Sequence, residues 1–424
     1  MKYANMSRQQ LADELSALKK AYSEYEGMHL KLDMSRGSPC REQLDLTLGM
    51  LHNLDSAEAC RTENGMDCRN YGVLDGIPEA KKLFGDLLEV PPQNVIVYGN
   101  SSLNIMYDTV ARAMLYGVCG GTPWCRLEHV KFLCPAPGYD RHFAICQSLG
   151  IEMITVPMTE AGPDMDMVER LVSEDEAIKG IWCVPKYSNP EGVVYSAETV
   201  LRFAALKPKA KDFRIFWDNA YVIHSLYDTC DEIPNLFTEA AKAGNPDMPF
   251  IFASTSKISF PGSGVAVLAA SDRNISQIKS IMTIQTIGHD KLNQLRHVRF
   301  FHDVDGLRTH MKKHAEILRP KFEYVLEAFD RDLTDPGVAT WTKPRGGYFI
   351  SLDVMDGTAK RVYELMQGIG VTLTKVGATF PYGIDPDDRN LRIAPSFPPL
   401  EDLRVAVDAL CLCVKLAAAE KLLG

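Results

Sequence analysis

Phe250-Ile251-Phe252-Ala253-Ser254-Thr255-Ser256-Lys257 decides how the rest of this chain is read. The run is apolar as far as Ala253, turns small and hydroxylic, and ends on a lysine. That pattern predicts a short buried strand delivering Lys257 into the turn Ile258-Ser259-Phe260-Pro261-Gly262-Ser263-Gly264. A lysine held at the end of a buried strand loses part of its hydration, which disfavours the ammonium form and makes a nucleophilic amine accessible. Schiff-base chemistry with an aldehyde cofactor requires such an amine. Most lysines that follow a strand are solvated surface groups, so Lys257 takes its meaning from the rest of the sequence.

Upstream, Phe213-Arg214-Ile215-Phe216-Trp217-Asp218 is a second apolar run, followed by Asn219-Ala220-Tyr221. An acid ending such a strand is costly unless it meets a cation or hydrogen-bond donors. Taken alone, Asp218 reads equally as a helix N-cap. Further back, Lys179-Gly180-Ile181-Trp182-Cys183-Val184-Pro185 runs into Lys186-Tyr187-Ser188-Asn189-Pro190-Glu191-Gly192, where Asn-Pro-x-Gly is by itself only a turn. Three chemically loaded strand ends in one order are harder to dismiss. In open α/β sheets the ligand lies beyond the carboxyl ends of the strands.

Asn-Pro-x-Gly, then Asp-x-x-Tyr, then Ser-x-Ser-Lys resembles the ordered signature of the class I/II aminotransferases, the fold-type I enzymes that use pyridoxal 5′-phosphate (PLP). The resemblance runs from about Leu32 to Pro398. Arg36-Gly37, Arg69-Asn70-Tyr71-Gly72 and Arg392-Ile393-Ala394-Pro395 resemble an aspartate aminotransferase-like branch, similar to the catalytic half of MocR-type regulators without their N-terminal DNA-binding domain. The resemblance implies a mostly parallel seven-stranded sheet sandwiched by helices, plus a smaller α+β domain. The strands and helices alternating from about Leu74 to Ala270 agree with that α/β class. The expected division is an N-terminal helix and lid segment at 1–50, a large cofactor domain at 51–295 and a small domain at 296–424.

The resemblance also implies roles. Asp218 would pair with the protonated pyridine nitrogen of PLP, and Tyr221 and Asn189 would hydrogen-bond its phenolic oxygen. Tyr139 would stack on the ring, although it could equally fill a turn. For the phosphate, Gly99-Asn100-Ser101-Ser102 ends one strand and opens a helix, where free N–H groups meet a positive helix end. A routine helix cap has the same composition. Ser254 and Ser256 match further phosphate contacts. Relatives carry an arginine shortly after the lysine, in a Gly-x-Arg step, but this chain has Gly262-Ser263-Gly264. Ser254, Ser259 and backbone amides, or a more distant cation, are expected to compensate.

Arg392 matches the arginine that grips the substrate α-carboxylate as a bidentate fork, although a lone strand arginine is often a surface ion pair. Tyr71 matches a residue reaching the neighbouring subunit's cofactor phosphate, and the stretch Thr286–Lys291 is expected at the same interface. A homodimer with shared sites follows. A dicarboxylic donor such as aspartate needs a second cation. Arg141, just past Tyr139, is preferred over Arg36, whose neighbour Gly37 could hinge a lid, and over Lys291. The expected reaction moves an amino group from an amino acid, aspartate before others, to 2-oxoglutarate by a ping-pong mechanism. A PLP-dependent lyase of the same fold or a PLP-binding sensor stays open, though the intact residue set disfavours the sensor.

Composition excludes other classes. At 424 residues, 46% hydrophobic and 24% charged, the chain reads as a globular enzyme of two or three domains. A net charge of −9 argues against nucleic acid or anionic membrane as partner. No stretch of 18 apolar residues occurs, and the polar, acid-bearing N-terminus does not read as a signal peptide. Eleven cysteines without a Cys-x-x-Cys suggest a reducing cytoplasm rather than a disulfide framework or a metal site. His310 and His314, flanking Lys312 and Lys313, read as a solvated helix face.

Overall fold

The computed structural model describes residues 2–424. Its thirteen strands are β1 (Leu32–Asp33), β2 (Val95–Val97), β3 (Lys131–Ala136), β4 (Glu152–Thr159), β5 (Gly162–Pro163), β6 (Ile178–Cys183), β7 (Arg214–Asp218), β8 (Pro249–Ser254), β9 (Ala266–Ala269), β10 (Ala339–Trp341), β11 (Ile350–Val354), β12 (Val371–Thr372) and β13 (Asn390–Ile393). The helices are α1 (Arg8–Glu26), α2 (Arg41–Asp45), α3 (Pro78–Leu88), α4 (Ser102–Tyr116), α5 (Asp140–Ser148), α6 (Met165–Glu174), α7 (Ala197–Ala204), α8 (Leu236–Lys242), α9 (Asp272–Gln285), α10 (Lys291–Phe301), α11 (Val304–Leu333), α12 (Ala359–Gly368) and α13 (Leu400–Leu423).

Near-continuous apolar strands belong to a sheet covered on both faces. Here Ile215 and Trp217 pack into one core and Phe216 into another, the two-residue alternation of a strand between two helical layers. The sheet order is β2-β9-β8-β7-β6-β3-β4-β5. β4, β3, β6, β7 and β8 run parallel, and β9 is antiparallel to both its neighbours. The sheet therefore has eight strands rather than the expected seven. The extra one, β5, is a two-residue pairing of Gly162 and Pro163 with Thr159 and Met158, too short for a periodic signal. Because β6, β7 and β8 are parallel and in register, the segments bearing Asn189, Asp218 and Lys257 all leave the sheet at one edge.

A second, antiparallel sheet, β10-β11-β13, places Arg392 opposite Ser351. β1 pairs with β12, which ties the N-terminal segment to this smaller unit. α1 starts on the Ser7–Gln10 capping box and buries Leu11 and Leu18 in the same core as α13. That core includes Tyr187 and Tyr221, so it continues beneath the strand ends of the large sheet.

The solvated reading of His310 and His314 fails. Leu307, His310, Met311, His314 and Leu318 form the inward stripe of α11, while Lys312 and Lys313 point outward. His310 Nε2 lies 2.9 Å from the Ile258 carbonyl and 3.0 Å from His314 Nε2, and His314 Nδ1 lies 2.8 Å from Gln43 Nε2. Burial pushes both imidazoles down, His314 to about 3. They are neutral core groups directly behind the turn that carries Lys257.

Candidate active site

A cavity of about 380 Å³ opens where the parallel strands end. Lys257, Asp218, Tyr221, Asn189, Tyr139, Ser101, Ser102, Ser254, Ser256 and Arg392 all line it, as do Arg36, Gly37 and Arg141. The fold thus collects residues spread over most of the sequence into one wall. Lys257 Nζ sits 5.2 Å from the Tyr221 ring centroid and 5.9 Å from that of Tyr348. Burial lowers its pKa from the ordinary lysine value, Arg392 adds to the fall, and Asp218 opposes it. Tyr221 is 2% exposed, and desolvation holds its phenol well above the usual range.

Asp218 is 3% exposed at the end of β7. Its Oδ2 lies 3.1 Å from His142 Nε2, and its Oδ1 has no hydrogen-bond partner among the described residues. His142 is fixed by stacking on Trp182 at 4.4 Å between centroids, nearly parallel, with Tyr139 edge-on to it. A buried carboxylate oxygen without a donor is costly, and it lines a cavity with room for a cationic ring nitrogen. The donor set therefore fits PLP. His142 was not foreseen. It stands three residues past Tyr139, and only the α5 geometry carries it under Asp218.

At one end of the cavity, Ser101 caps α4 by accepting from Asn104 N–H, and Ser102 opens that helix. Ser254 Oγ donates to Ser256 Oγ, and Ser256 Oγ donates to the Asn100 carbonyl, each at 3.1 Å. Gly99 and Asn100 do not line the cavity. They tie its rim, Gly99 O accepting from Ala266 N–H and Asn100 Nδ2 reaching the Pro261 carbonyl. The expectation for Ser259 fails: it is fully buried against Thr255 and His297, away from the cavity. An arginine could not stand at Gly264 without rearrangement, because a Cβ there would lie 2.9 Å from Thr255 Oγ1.

At the other end, Arg392 Nη1 donates to Asp140 Oδ1 at 2.8 Å and to Asn189 Oδ1 at 3.3 Å, and Nε to Thr374 Oγ1 at 3.3 Å. Its guanidinium lies over Phe349, 4.9 Å from the ring centroid. Gly37 packs on the same ring, and a Cβ there would overlap Phe349. Arg36 is exposed and pairs with Asp33 at 3.5 Å. Arg141 is exposed, with no ion pair among the described residues; the nearby acid Asp140 pairs with Arg392 instead. Lys291 is buried at the start of α10 and does not line the cavity of its own chain. Tyr71 also lies outside the cavity and is 85% exposed. Among the described residues no helix is long and apolar enough to cross a membrane, and no cluster of three metal-ligating side chains occurs.

This architecture, with a strand-end lysine and aspartate facing one cavity, is that of the fold-type I aminotransferases. The family model described as aspartate amino-transferase matches residues 6–424, and the chain belongs to that family. It is 46% identical over 404 residues to an aspartate aminotransferase of Corynebacterium glutamicum, covering 95% of this chain and 93% of the relative. The crystal structure of an aspartate transaminase from the same species superposes with a TM-score of 0.96 at 44% identity, covering 99% of both chains. An α-aminoadipate aminotransferase from Thermus thermophilus, 20% identical, shares the fold with a TM-score of 0.75 over 92% of this chain and 93% of its own. The protein is an aminotransferase.

Proposed function

We propose that the protein transfers the amino group of aspartate to 2-oxoglutarate in two half-reactions at the cavity described above, using PLP. The observation that carries this reading is the buried pair of opposite chemistries on one wall, a desolvated lysine and a half-unpartnered aspartate. When bound, PLP supplies the aldehyde that accepts the amino group and the ring that takes up electrons from the donor's Cα. Asp218 Oδ1 would hold a proton on the ring nitrogen, with His142 holding the carboxylate in place. Tyr139 would cover the ring, and Tyr221 and Asn189 would orient its oxygen substituent. Ser101, Ser102, Ser254, Ser256 and the free amides at the start of α4 cradle the phosphate.

Arg392 holds the substrate α-carboxylate. Lys257 Nζ would act as the base that takes the proton from the donor's Cα and as the acid that gives it back. Its lowered pKa favours the neutral amine that this exchange needs. Arg141 meets the side-chain carboxylate, with Arg36 on the segment closing above. The resemblance to the C. glutamicum aspartate aminotransferase supports aspartate as donor. We place the boundaries between the N-terminal segment, the large and the small domains near residues 50 and 295. Exposed Tyr71, Ile284 and Ile287 support a homodimer in which Tyr71 reaches the neighbouring site.

The test is chemical trapping. Borohydride reduction of the purified holoenzyme followed by peptide mapping should mark Lys257, and Lys257→Ala should abolish both the adduct and turnover. A different marked lysine overturns the assignment. Rapid release of ammonia and a keto acid from a single amino acid, without an acceptor, would favour elimination over transfer.

A further inference from the structure

Arg392 is already occupied by a carboxylate of its own chain. Asp140, the first residue of α5, closes a 2.8 Å ion pair on Nη1. No other carboxylate of the described residues pairs with this guanidinium, whose side chain is only 8% exposed. The remaining contacts, Asn189 Oδ1, Thr374 Oγ1 and the Phe349 face, are neutral. Asp140 differs from its partner in freedom. Its side chain is 31% exposed, lines the cavity, and sits at a helix start, where a negative charge is favoured whether or not the arginine is near.

We infer that Asp140 is an internal competitor for the substrate's α-carboxylate, an affinity-setting residue that must leave Arg392 before substrate can seat. This rests on the reading of Arg392 given above. Two carboxylates cannot share one buried guanidinium without like-charge repulsion in a poorly solvated site. Exchange of one carboxylate for another leaves the arginine paired in both states, so the guanidinium is never left buried and bare. The cost falls on affinity: every carboxylate ligand binds less tightly by the strength of the Asp140 contact. The competition acts alike on the bound substrate and on its transition state, so it raises KM and leaves kcat unchanged. The neighbour Arg141 is not part of this pair and remains available for a second carboxylate.

The experiment measures binding of succinate, an unreactive dicarboxylate, to the holoenzyme by calorimetry, alongside steady-state kinetics with aspartate. Asp140→Asn, which keeps shape and removes charge, is expected to tighten succinate about tenfold or more and to lower KM for aspartate with kcat within about twofold. Asp140→Glu, which restores a carboxylate, is expected to bind close to wild type. Damage to the fold weakens binding, so a gain of affinity is not a trivial outcome. Arg392→Ala serves as the control and should weaken succinate in both backgrounds. If Arg392→Ala weakens binding but Asp140→Asn leaves it unchanged or weaker, the competitor role is overturned while Arg392 keeps its own. If Arg392→Ala has no effect, the Arg392 reading falls and takes the competitor role with it.

Discussion

The two ends of the cavity are built differently. At the cofactor end Asp218, Tyr221 and Asn189 are 3%, 2% and 6% exposed, held by strand register and by the His142–Trp182 stack. At the substrate mouth Arg36 keeps 70% of its side chain in solvent, Arg141 is exposed and Asp140 keeps 31% of its side chain in solvent. The most buried of these groups are locked to the sheet, while Arg36 and Arg141, proposed to meet the substrate, stand on a loop and the first turn of a helix. The buried groups cannot move without leaving uncompensated polar atoms. The exposed ones can be exchanged at little cost in stability, which is where specificity can change.

Removing a buried group should therefore cost most. Asp218→Ala is expected to lower kcat by about 10³-fold or more, since it strips a preorganised charge from the reacting centre. An unchanged kcat with intact cofactor would break the contrast between the two ends.

The same contrast governs how far the sequence could be read. Lys257, Asp218 and Asn189 end apolar runs, and a strand ending in a charged or turn residue is visible in one dimension. Their convergence was expected from the parallel α/β pattern together with the family resemblance. The Arg392–Asp140 pair joins residues 252 positions apart, and no local pattern announces it. His142 carries no local signal because its partner Asp218 ends β7, 76 positions away. His310 and His314 were misread because the lysines between them dominate the local polarity, although the apolar stripe of α11 passes through both histidines. Ser259 was expected at the phosphate because it is a hydroxyl near Lys257, yet the turn points it into the core.

A milder effect is expected at the mouth. Arg141→Ala should cost about 2 kcal/mol in kcat/KM for aspartate, the lower end for stripping a partner from a charge pair, because the guanidinium is solvated before substrate arrives. With alanine as donor the same substitution should change kcat/KM by less than about twofold. Comparing aspartate, glutamate, alanine and an aromatic amino acid on the wild type tests the premise. If alanine or the aromatic donor is preferred, the dicarboxylate reading fails.

The smallest effect is set by Glu191, beside the cavity-lining Asn189 and facing the smaller sheet. Its Oε2 has no hydrogen-bond partner, and desolvation, with Asp353 nearby as a like charge, pushes the carboxyl up to about 8 from an ordinary 4.5. Arg389, 3.8 Å from Asp353, partly offsets that second charge. Below about pH 4.5 folded and unfolded chains both hold the proton, and folding is unaffected. Between about 4.5 and 8 the unfolded chain releases it and the folded chain does not, so stability falls as pH rises through that window. Glu191→Gln removes the slope. Solvent still reaches part of this side chain, so the expected gain at pH 8 is about 1–2 kcal/mol rather than the full value of a buried shift. The gain should vanish near pH 4.5, read as the difference in thermal midpoint between variant and wild type across the pH series. A variant less stable at pH 8 would mean that Glu191 is ionised and paired, and that the border of the mouth is as firmly organised as the cofactor end.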